Sequence, residues 1–357
     1  MNTPDSIVAA AARHGLHYPC GDPPGPGQVK AVAPGVLWLR MALPSSLQHI
    51  NLWALEDDDG WTIVDTGIHA PEVVRDWEAL LAGPLAGRPV RRVLVTHLHA
   101  DHVGMAGWLT RRSGGRLWMT RLEYLTTLAM AGEDATELSP DGVAFYRRAG
   151  WDDDAIARYG ARLGRFQSIV HPLPDSYRRI RDGETLRIGG RDWRVVVGAG
   201  HCPEHACLYS EDLRLLISGD QVLPRISSNV SVQPREPDAD PLAEWVASLH
   251  KLLAAVPSDV LVLPSHNEPF TGLHARLVAL EASVLRKLGK LRSALAQPCR
   301  VVDLFAALFA GPMTSDDAMR YSLATGETLA HLNYLLNLGE VEAEEDASGV
   351  VWYRVSR

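Results

Sequence analysis

The sequence predicts a layered α/β fold followed by a small helical appendage. Short apolar strands separated by turns occur in two groups, at residues 36–96 and 185–263, with helical patterns between them. Antiparallel strands followed by alternating strands and helices are typical of this fold class. The length of 357 residues fits one large domain with a small addition.

The first group of strands ends at a buried strand. Runs of β-branched and aromatic residues favour strands, and an acidic turn that ends in glycine favours a hairpin. A helix with periodic apolar positions leads to the last strand of the group. The predicted elements are strands at Val36–Met41, His49–Leu55 and Trp61–Val64, a turn at Asp57–Gly60, a helix at Pro71–Ala82 and a strand at Arg92–Thr96.

Residues 111–181 interrupt this pattern. They are helical in period, rich in arginine and aromatic residues, and lack a strand pattern until late, so we predict a helical insertion over the site. The second group of strands follows the insertion. Its predicted members are Thr185–Ile188, Trp193–Gly198, Ala206–Tyr209, Leu213–Ser218 and Val260–Leu263.

A second domain is predicted after these strands, which places a catalytic domain at residues 1–275 and a C-terminal domain at residues 276–357. Several helices and a closing hairpin are typical of a winged-helix-like domain. The predicted helices are Leu273–Leu295, Val302–Phe309, Ser315–Ala324 and Gly326–Leu338, and the hairpin pairs Val341–Ala343 with Val350–Tyr353.

The composition favours a cytoplasmic protein with no membrane or nucleic-acid partner. The net charge of -8 argues against nucleic acid, since affinity for phosphate backbones comes mostly from clustered Lys and Arg. No basic region precedes the apolar residues Ile7–Ala12, and no apolar run is long enough to span a bilayer. The four cysteines are scattered, which favours a reducing compartment without a disulfide framework.

Four potential metal ligands lie close together directly after a hydrophobic strand. They belong to the run Thr96-His97-Leu98-His99-Ala100-Asp101-His102. Strand alternation would place His97 and His99 on one side of the chain. If a helix follows, Asp101 and His102 can face a second ion. Imidazole and carboxylate ligands suit zinc, manganese or iron, so this run predicts a metal site.

Three further candidate ligands lie later in the chain. His201, Asp220 and His266 each follow a short apolar strand and are flanked by glycine, proline or serine. Loops at strand ends are where functional residues concentrate. Together with the histidine-rich run, these residues predict a site for two metal ions.

These motifs resemble the metallo-β-lactamase superfamily, in its hydroxyacylglutathione-hydrolase-like branch. The resemblance covers about residues 30–275 and implies a four-layer αββα sandwich that holds two divalent metal ions, zinc or alternatively manganese or iron. The motifs, in order, are Val64-Asp65-Thr66-Gly67, the HxHxDH run from His97 to His102, Gly200-His201, Ser218-Gly219-Asp220 and Ser265-His266.

The resemblance also implies a role for each ligand. The residues at the first metal would be His97, His99 and His201. The residues at the second metal would be Asp101, His102 and His266, and Asp220 would bridge the two metals. Asp65 would accept a hydrogen bond that orients a ligand histidine. This complete set favours the thioesterase, lactonase and nuclease branches over lactam hydrolysis.

The chemistry expected of such a site needs no serine or cysteine nucleophile, because binuclear sites generate hydroxide near neutral pH. We predict catalytic roles for Asp220 and Asp101, with Asp220 handling the proton beside the attacking oxygen. Cys202 is interpreted as structural. His205 is a candidate for substrate contact or proton transfer, with a structural role as the alternative.

Arginines in the insertion offer a clue to the substrate. Arg158, Arg162 and Arg165 are spaced to share one helix face. They form either a solvated surface or a rim that binds phosphate, as acyl-coenzyme A would need.

Four functions follow from these observations. Hydrolysis of an acyl-coenzyme A or acyl-glutathione thioester ranks first, and hydrolysis of a lactone or other ester ranks second. Single-strand ribonuclease activity ranks third; it is suggested by a resemblance of the C-terminal domain to the winged-helix tail of the mitochondrial β-lactamase-like endoribonuclease. The acidic hairpin there repels phosphate and fits packing or a homodimer better. A non-catalytic binding protein ranks last, since such a protein is expected to lose ligands.

Overall fold

The computed structural model describes residues 15–44, 47–132, 137–162 and 164–356. The N-terminal residues on which the absence of a signal peptide is predicted lie outside these ranges. The side chain of Arg165, the third member of the predicted arginine face, also lies outside the described part.

Within the described residues, the first sheet has seven strands in sequential order. Its strands are β1 (Lys30–Ala33), β2 (Val36–Ala42), β3 (His49–Asp57), β4 (Gly60–Val64), β5 (Val90–Leu94), β6 (Arg116–Met119) and β7 (Arg178–Arg179). Neighbours from β1 to β4 pair antiparallel, whereas neighbours from β4 to β7 pair parallel. The strands β4, β5 and β6 therefore deliver their carboxyl ends to one edge.

A second sheet of five strands is formed by the part of the chain that the structure describes. Its strands are β8 (Thr185–Ile188), β9 (Arg191–Gly198), β10 (His205–Ser210), β11 (Leu215–Gly219) and β12 (Leu261–Pro264). β11 and β12 pair parallel, and the other neighbours pair antiparallel. The carboxyl ends of β11 and β12 therefore also lie together.

Aromatic and aliphatic side chains fill the space between the two sheets. Trp38 and Trp53 stack with ring centroids 6.1 Å apart. They share one buried cluster with Trp193 and Leu208 of the second sheet. Because side chains alternate along a strand, Leu39 of β2 faces the opposite side. This apolar cluster holds the two sheets face to face.

An α-helix packs on each of the two sheets. The α-helices are α1 (Pro71–Ala82), α2 (Ala100–Val103), α3 (Ala106–Ser113), α4 (Arg121–Ala131), α5 (Pro140–Arg148), α6 (Asp153–Gly160), α7 (Arg165–Ile169), α8 (Pro241–Ala255), α9 (Leu273–Ala294), α10 (Phe305–Leu308) and α11 (Ala318–Asn337). Trp77 of α1 packs on the first sheet, and Lys251 of α8 donates to the carbonyl oxygen of Val197, 2.7 Å away, on the second. The predicted αββα sandwich is confirmed. No helix in the described ranges is long and apolar enough to cross a membrane.

The chain divides into two compact units. The first unit contains the described residues of Met1–Glu133, Phe166–Ser228 and Leu249–Val278, and thus both large sheets. The second unit contains the described residues of Asp134–Arg165, Asn229–Ser248 and Ala279–Arg357.

Aromatic and hydroxyl side chains join the helices of the second unit. The hydroxyl groups of Tyr146 and Ser322 lie 2.8 Å apart, and the indole of Trp151 donates to Thr325 Oγ1 at 2.9 Å. The C-terminal residues add a two-stranded sheet of β13 (Val341–Glu345) and β14 (Val351–Val355). This small domain of helices and one hairpin agrees with the predicted order of its elements.

Two segments differ from the sequence-based expectation. The segment 111–181 contains strands β6 and β7 as well as helices, because a strand of four residues is too short to produce a clear alternating pattern. The helices predicted at Ser315–Ala324 and Gly326–Leu338 form one continuous helix, α11. Gly326 lies inside this helix, where a Cβ atom would come within 2.7 Å of Ser231 Cβ, so its small size serves close packing.

Truncation of Leu208 should destabilise the sandwich. Leu208 is fully buried between the sheets, and replacement by alanine leaves a cavity that lowers the free energy of unfolding by about 2–5 kcal/mol. Urea denaturation followed by tryptophan fluorescence measures this. The control Leu125→Ala removes an exposed leucine of α4 and should change the free energy by less than about 0.5 kcal/mol. Equal losses in both variants would contradict the assigned core.

Candidate metal centre

The loop after β5 places four potential ligands at one edge of the sandwich. The chain leaves β5 at Leu94 and enters α2 at Ala100, with His99 at the N-cap. His97 and His102 are fully buried. The short bend between strand and helix therefore turns a contiguous run of residues into a compact group of side chains.

The remaining candidate ligands come from the second sheet. His201 lies in the loop between β9 and β10, Asp220 follows β11, and His266 lies just after β12. Their donor atoms form three groups in which all atoms lie within 4.8 Å of one another. The groups are His97, His99 and His201; His97, His102 and Asp220; and Asp101, His102 and His266. All seven sequence-predicted ligands are thus brought together.

Four distances between carboxylate oxygens and imidazole nitrogens of the seven residues match those around a metal ion. Asp220 Oδ2 lies 3.6 Å from His102 Nε2 and 3.5 Å from His201 Nε2, while Asp220 Oδ1 lies 3.5 Å from His266 Nε2. Asp101 Oδ2 lies 3.4 Å from His266 Nε2. Ligands about 2.1 Å from a tetrahedral zinc ion lie about 3.4 Å from one another. These four distances are longer than ordinary hydrogen bonds and are close to the distance between two ligands of one ion.

Several donor atoms also lack the hydrogen bonds that burial demands. Among the described residues, His102 Nε2, His266 Nε2 and Asp220 Oδ1 are buried and make no hydrogen bond. Buried polar atoms without partners are rare in folded proteins and destabilising. A divalent cation would satisfy all three atoms, so the residues present fit a metal centre.

Charges in the cluster favour a cation as well. Burial acts against the charged form of His266, but Asp220 and Asp101 outweigh it and raise the pKa of His266 to about 10. Burial would raise the pKa of Asp220, yet His266 and His102 hold it well below its usual range. Burial and the neighbouring His201 lower the pKa of His99 to about 3. Asp220 therefore stays ionised and His99 neutral, and a bound metal ion would take the place of the proton that the carboxylates favour on His266.

Hydrogen bonds from outside the cluster orient two of the imidazoles. Asp65 Oδ2 accepts a hydrogen bond from His102 Nδ1 at 2.8 Å, and Asp65 Oδ1 accepts one from the backbone of Thr96. The sequence predicts this kind of contact for Asp65. His266 Nδ1 donates to the carbonyl oxygen of His49 at 2.9 Å. In both histidines the other ring nitrogen, Nε2, is left to face the centre.

His205, the candidate for substrate contact or proton transfer, lies inside the protein behind Asp220. His205 is fully buried, and its Nε2 accepts a hydrogen bond from the backbone N–H of Asp220 at 3.0 Å. At Gly219 a Cβ atom would come within 2.5 Å of the His205 ring. This imidazole holds the backbone of Asp220 in place, which fits the structural alternative, and a contact with substrate stays a prediction.

Glu123 is a functional candidate that the sequence gives no means of finding. It is fully buried, and its two oxygens accept hydrogen bonds from the backbone N–H groups of Leu98 and Glu204, at 2.8 and 2.7 Å. These groups lie in the loops of His97 and His201. One carboxylate of α4 therefore holds the two ligand loops together, and a single glutamate inside a helical pattern carries no sequence signal of that role.

Arg158 and Arg162 belong to the second unit but do not share one helix face as predicted, because α6 ends at Gly160 and Arg162 lies in the turn that follows. Arg158 is exposed and donates to Ser315 Oγ at 3.1 Å. Arg162 is partly buried, and its Nε makes no hydrogen bond among the described residues. A role of Arg158 and Arg162 in phosphate binding stays a prediction.

Comparison with known proteins identifies the family. Residues 47–266, more than half of the chain, match the metallo-beta-lactamase superfamily. The chain belongs to this superfamily. Residues 288–356 match a metallo-beta-lactamase-like C-terminal domain. As a member of the metallo-beta-lactamase superfamily with thioesterases among its relatives, the chain is a metal-dependent hydrolase.

Three relatives illustrate the range of the superfamily. Human acyl-coenzyme A thioesterase MBLAC2 is 25% identical over 277 residues, which cover 73% of this chain and 87% of the relative. The atrochrysone carboxyl ACP thioesterase of Aspergillus fumigatus is 25% identical over 209 residues, 58% of this chain and 35% of the relative. A beta-lactamase domain protein from Burkholderia ambifaria is 42% identical, with a TM-score of 0.89 over 97% of this chain and 100% of that chain.

Replacement of Glu123 by glutamine should weaken metal binding. The variant keeps the shape but places an amide NH2 group, a donor, against one of the two backbone N–H groups. We expect metal affinity to fall about 10- to 100-fold, as for other groups that orient ligands. Competition with a chromogenic chelator measures this. The control Glu78→Gln changes an exposed residue of α1 and should bind metal as wild type does. Wild-type metal affinity in Glu123→Gln would show that Glu123 does not hold the ligand loops together.

Proposed function

We propose that this chain is a dinuclear metal-dependent thioesterase that hydrolyses acyl thioesters of the acyl-coenzyme A type. The observation that carries the proposal is the position of Asp220, whose two oxygens lie 3.5–3.6 Å from three histidine nitrogens. A carboxylate in that position can be shared by two ions. The thioesterase names of two relatives support the substrate class.

The donor set divides naturally between two ions. His97, His99 and His201 would hold the first ion, and the residues that would hold the second are Asp101, His102 and His266. Asp220 would serve both ions. Nitrogen and oxygen donors without a thiolate suit zinc, with manganese and iron as alternatives.

The chain's own residues have separate tasks in the reaction. Bound divalent ions in such sites lower the pKa of water and polarise the scissile carbonyl group. Asp220, which stays ionised, accepts the proton of the attacking water. The side chain of Asp101 is 20% exposed, twice the exposure of Asp220, and it passes the proton on to solvent.

Cys202 is not the nucleophile in this scheme. It is buried, and burial followed by the charge of Glu123 raises the pKa of its thiol well above the usual range. Reactive cysteines have a lowered pKa and partial exposure. Hydrolysis by water therefore fits the site better than a covalent thioester intermediate on this cysteine.

Purified protein should contain about two divalent ions per chain, the number expected of a binuclear hydrolase. Elemental analysis measures the ions. Release of free thiol measures hydrolysis of acyl-coenzyme A and acyl-glutathione. A change in pH measures hydrolysis of lactones, which release acid but no thiol. Removal of the ions by a chelator should abolish activity, and their return should restore it. Two ions with turnover of lactones alone would favour the ester-hydrolase alternative, and protein without ions or turnover would favour a binding protein.

Replacement of Asp220 by asparagine should remove both the shared anion and the proton acceptor. We expect kcat to fall about 100-fold or more, the range for loss of a general base, and the metal content to fall with it. Asp192→Asn, which changes an exposed carboxylate of β9, is the matched control. Full activity and full metal content in Asp220→Asn would disprove the shared-carboxylate arrangement.

A further inference from the structure

A group of basic and polar side chains lies beside the loop that carries His266. Glu268 follows this ligand by two residues, and the chain spans at most about 7 Å over that separation. We call the group the basic cluster; it consists of Tyr18, Arg40, Arg225, Glu268 and Arg276. All five residues belong to the first unit.

Arg225 and Glu268 form the middle of the basic cluster. Arg225 Nη2 lies 2.9 Å from Glu268 Oε2, and the Arg225 guanidinium lies 5.0 Å from the centre of the Tyr18 ring. Arg276 is buried, and it donates from Nε to the carbonyl oxygen of Leu223 at 2.6 Å and from Nη2 to that of Ile226 at 2.7 Å. Arg276 therefore fixes the chain on both sides of Arg225.

Arg40 approaches the same place from β2. Strand alternation puts Arg40 on the same face as Trp38, which points between the sheets. Arg40 is paired with Asn51 of β3, whose Nδ2 donates to the carbonyl oxygens of Pro264 and Asn267. Burial lowers the pKa of Arg40, and Glu268 opposes that shift. Arg40 thus lies next to the beginning of the His266 loop.

The basic cluster contains more positive charge than its own carboxylate can balance. It contains three guanidinium groups and one carboxylate, Glu268, which pairs with Arg225. Among the described residues, Arg40 Nε and Tyr18 Oη are buried and make no hydrogen bond. Partly buried cations without a counter-charge are unfavourable, and both unpartnered atoms can donate to an anion. A ligand oxyanion would supply the missing acceptors.

We propose that the basic cluster binds an oxyanion of the substrate while the scissile bond lies at the metal centre, an inference that rests on the proposed thioesterase function. Guanidinium groups pair with carboxylates and phosphates through two parallel hydrogen bonds. Glu268 holds Arg225 in position, and Arg40 and Tyr18 provide the free donors. The oxyanion is either a carboxylate on the acyl chain or a phosphate of the thiol partner.

Four substrates distinguish these sources. The acyl group has five carbons and is either pentanoyl, which is neutral, or glutaryl, which carries a carboxylate. The thiol partner is either coenzyme A, which carries phosphate, or N-acetylcysteamine, which does not. In Arg40→Gln we expect KM to rise about tenfold or more for the substrates that carry the recognised anion, as for loss of a charged hydrogen bond, with kcat nearly unchanged. A rise for both glutaryl thioesters identifies a carboxylate, and a rise for both coenzyme A thioesters identifies a phosphate.

Matched variants control for loss of structure. Arg187→Gln changes an exposed arginine of β8 that pairs with Asp192 and should behave as wild type. Arg225→Gln changes a side chain that is 31% exposed and should also raise KM for the substrates that carry the recognised anion. It replaces Arg40→Gln in the test if that variant does not fold. An unchanged KM, or an equal rise for all four substrates, would overturn the proposal.

A binding measurement separates this proposal from the proposed function. Sodium glutarate and sodium phosphate are added to chelator-treated protein at constant ionic strength, and the melting temperature is followed. Ligands that bind the folded state raise it. A rise in wild type that is lost in Arg40→Gln supports the site even if no thioester is hydrolysed. No rise with either anion, or an equal rise in Arg40→Gln, overturns the site even if thioesterase activity is found.

Discussion

The crowding of buried imidazoles and carboxylates at one edge of the sandwich is the constraint on which the rest of the structure depends. Asp220 alone lies within 3.6 Å of three histidine nitrogens. Such a group is unstable by itself, because buried donors and acceptors need partners. The two face-to-face sheets make it possible by ending β5, β11 and β12 at the same place. A divalent cation held by these side chains would convert an unfavourable group of polar atoms into a coordination site.

Rigid contacts around the centre decide where each donor atom points. Asp65 holds His102, a backbone carbonyl holds His266, and His205 holds the backbone of Asp220. Glu123 joins the loops of the two sheets. These contacts come from four different elements, so the geometry of the site is a property of the whole first unit. Precision of this kind is what a site needs to act on a transition state.

The fold and the grouping of the candidate ligands could be predicted because their signals are local. Apolar strands show their own periodicity, and His97 to His102 form a contiguous run after such a strand. The role of Glu123 could not be predicted, since its partners are distant in sequence: Glu123 accepts a hydrogen bond from Glu204, 81 residues later. The strand β6 and the unbroken helix α11 were hidden for similar reasons, because tertiary packing outweighs local preference there.

The contact between Gly219 and His205 has an evolutionary consequence. A single methyl group at position 219 would come within 2.5 Å of the imidazole, and the backbone φ there is +51°, which side chains rarely adopt. A larger residue at 219 is therefore tolerated only after the ring at 205 has been replaced by something smaller. The two positions should covary among homologues, and a lineage that abandons one should abandon the other.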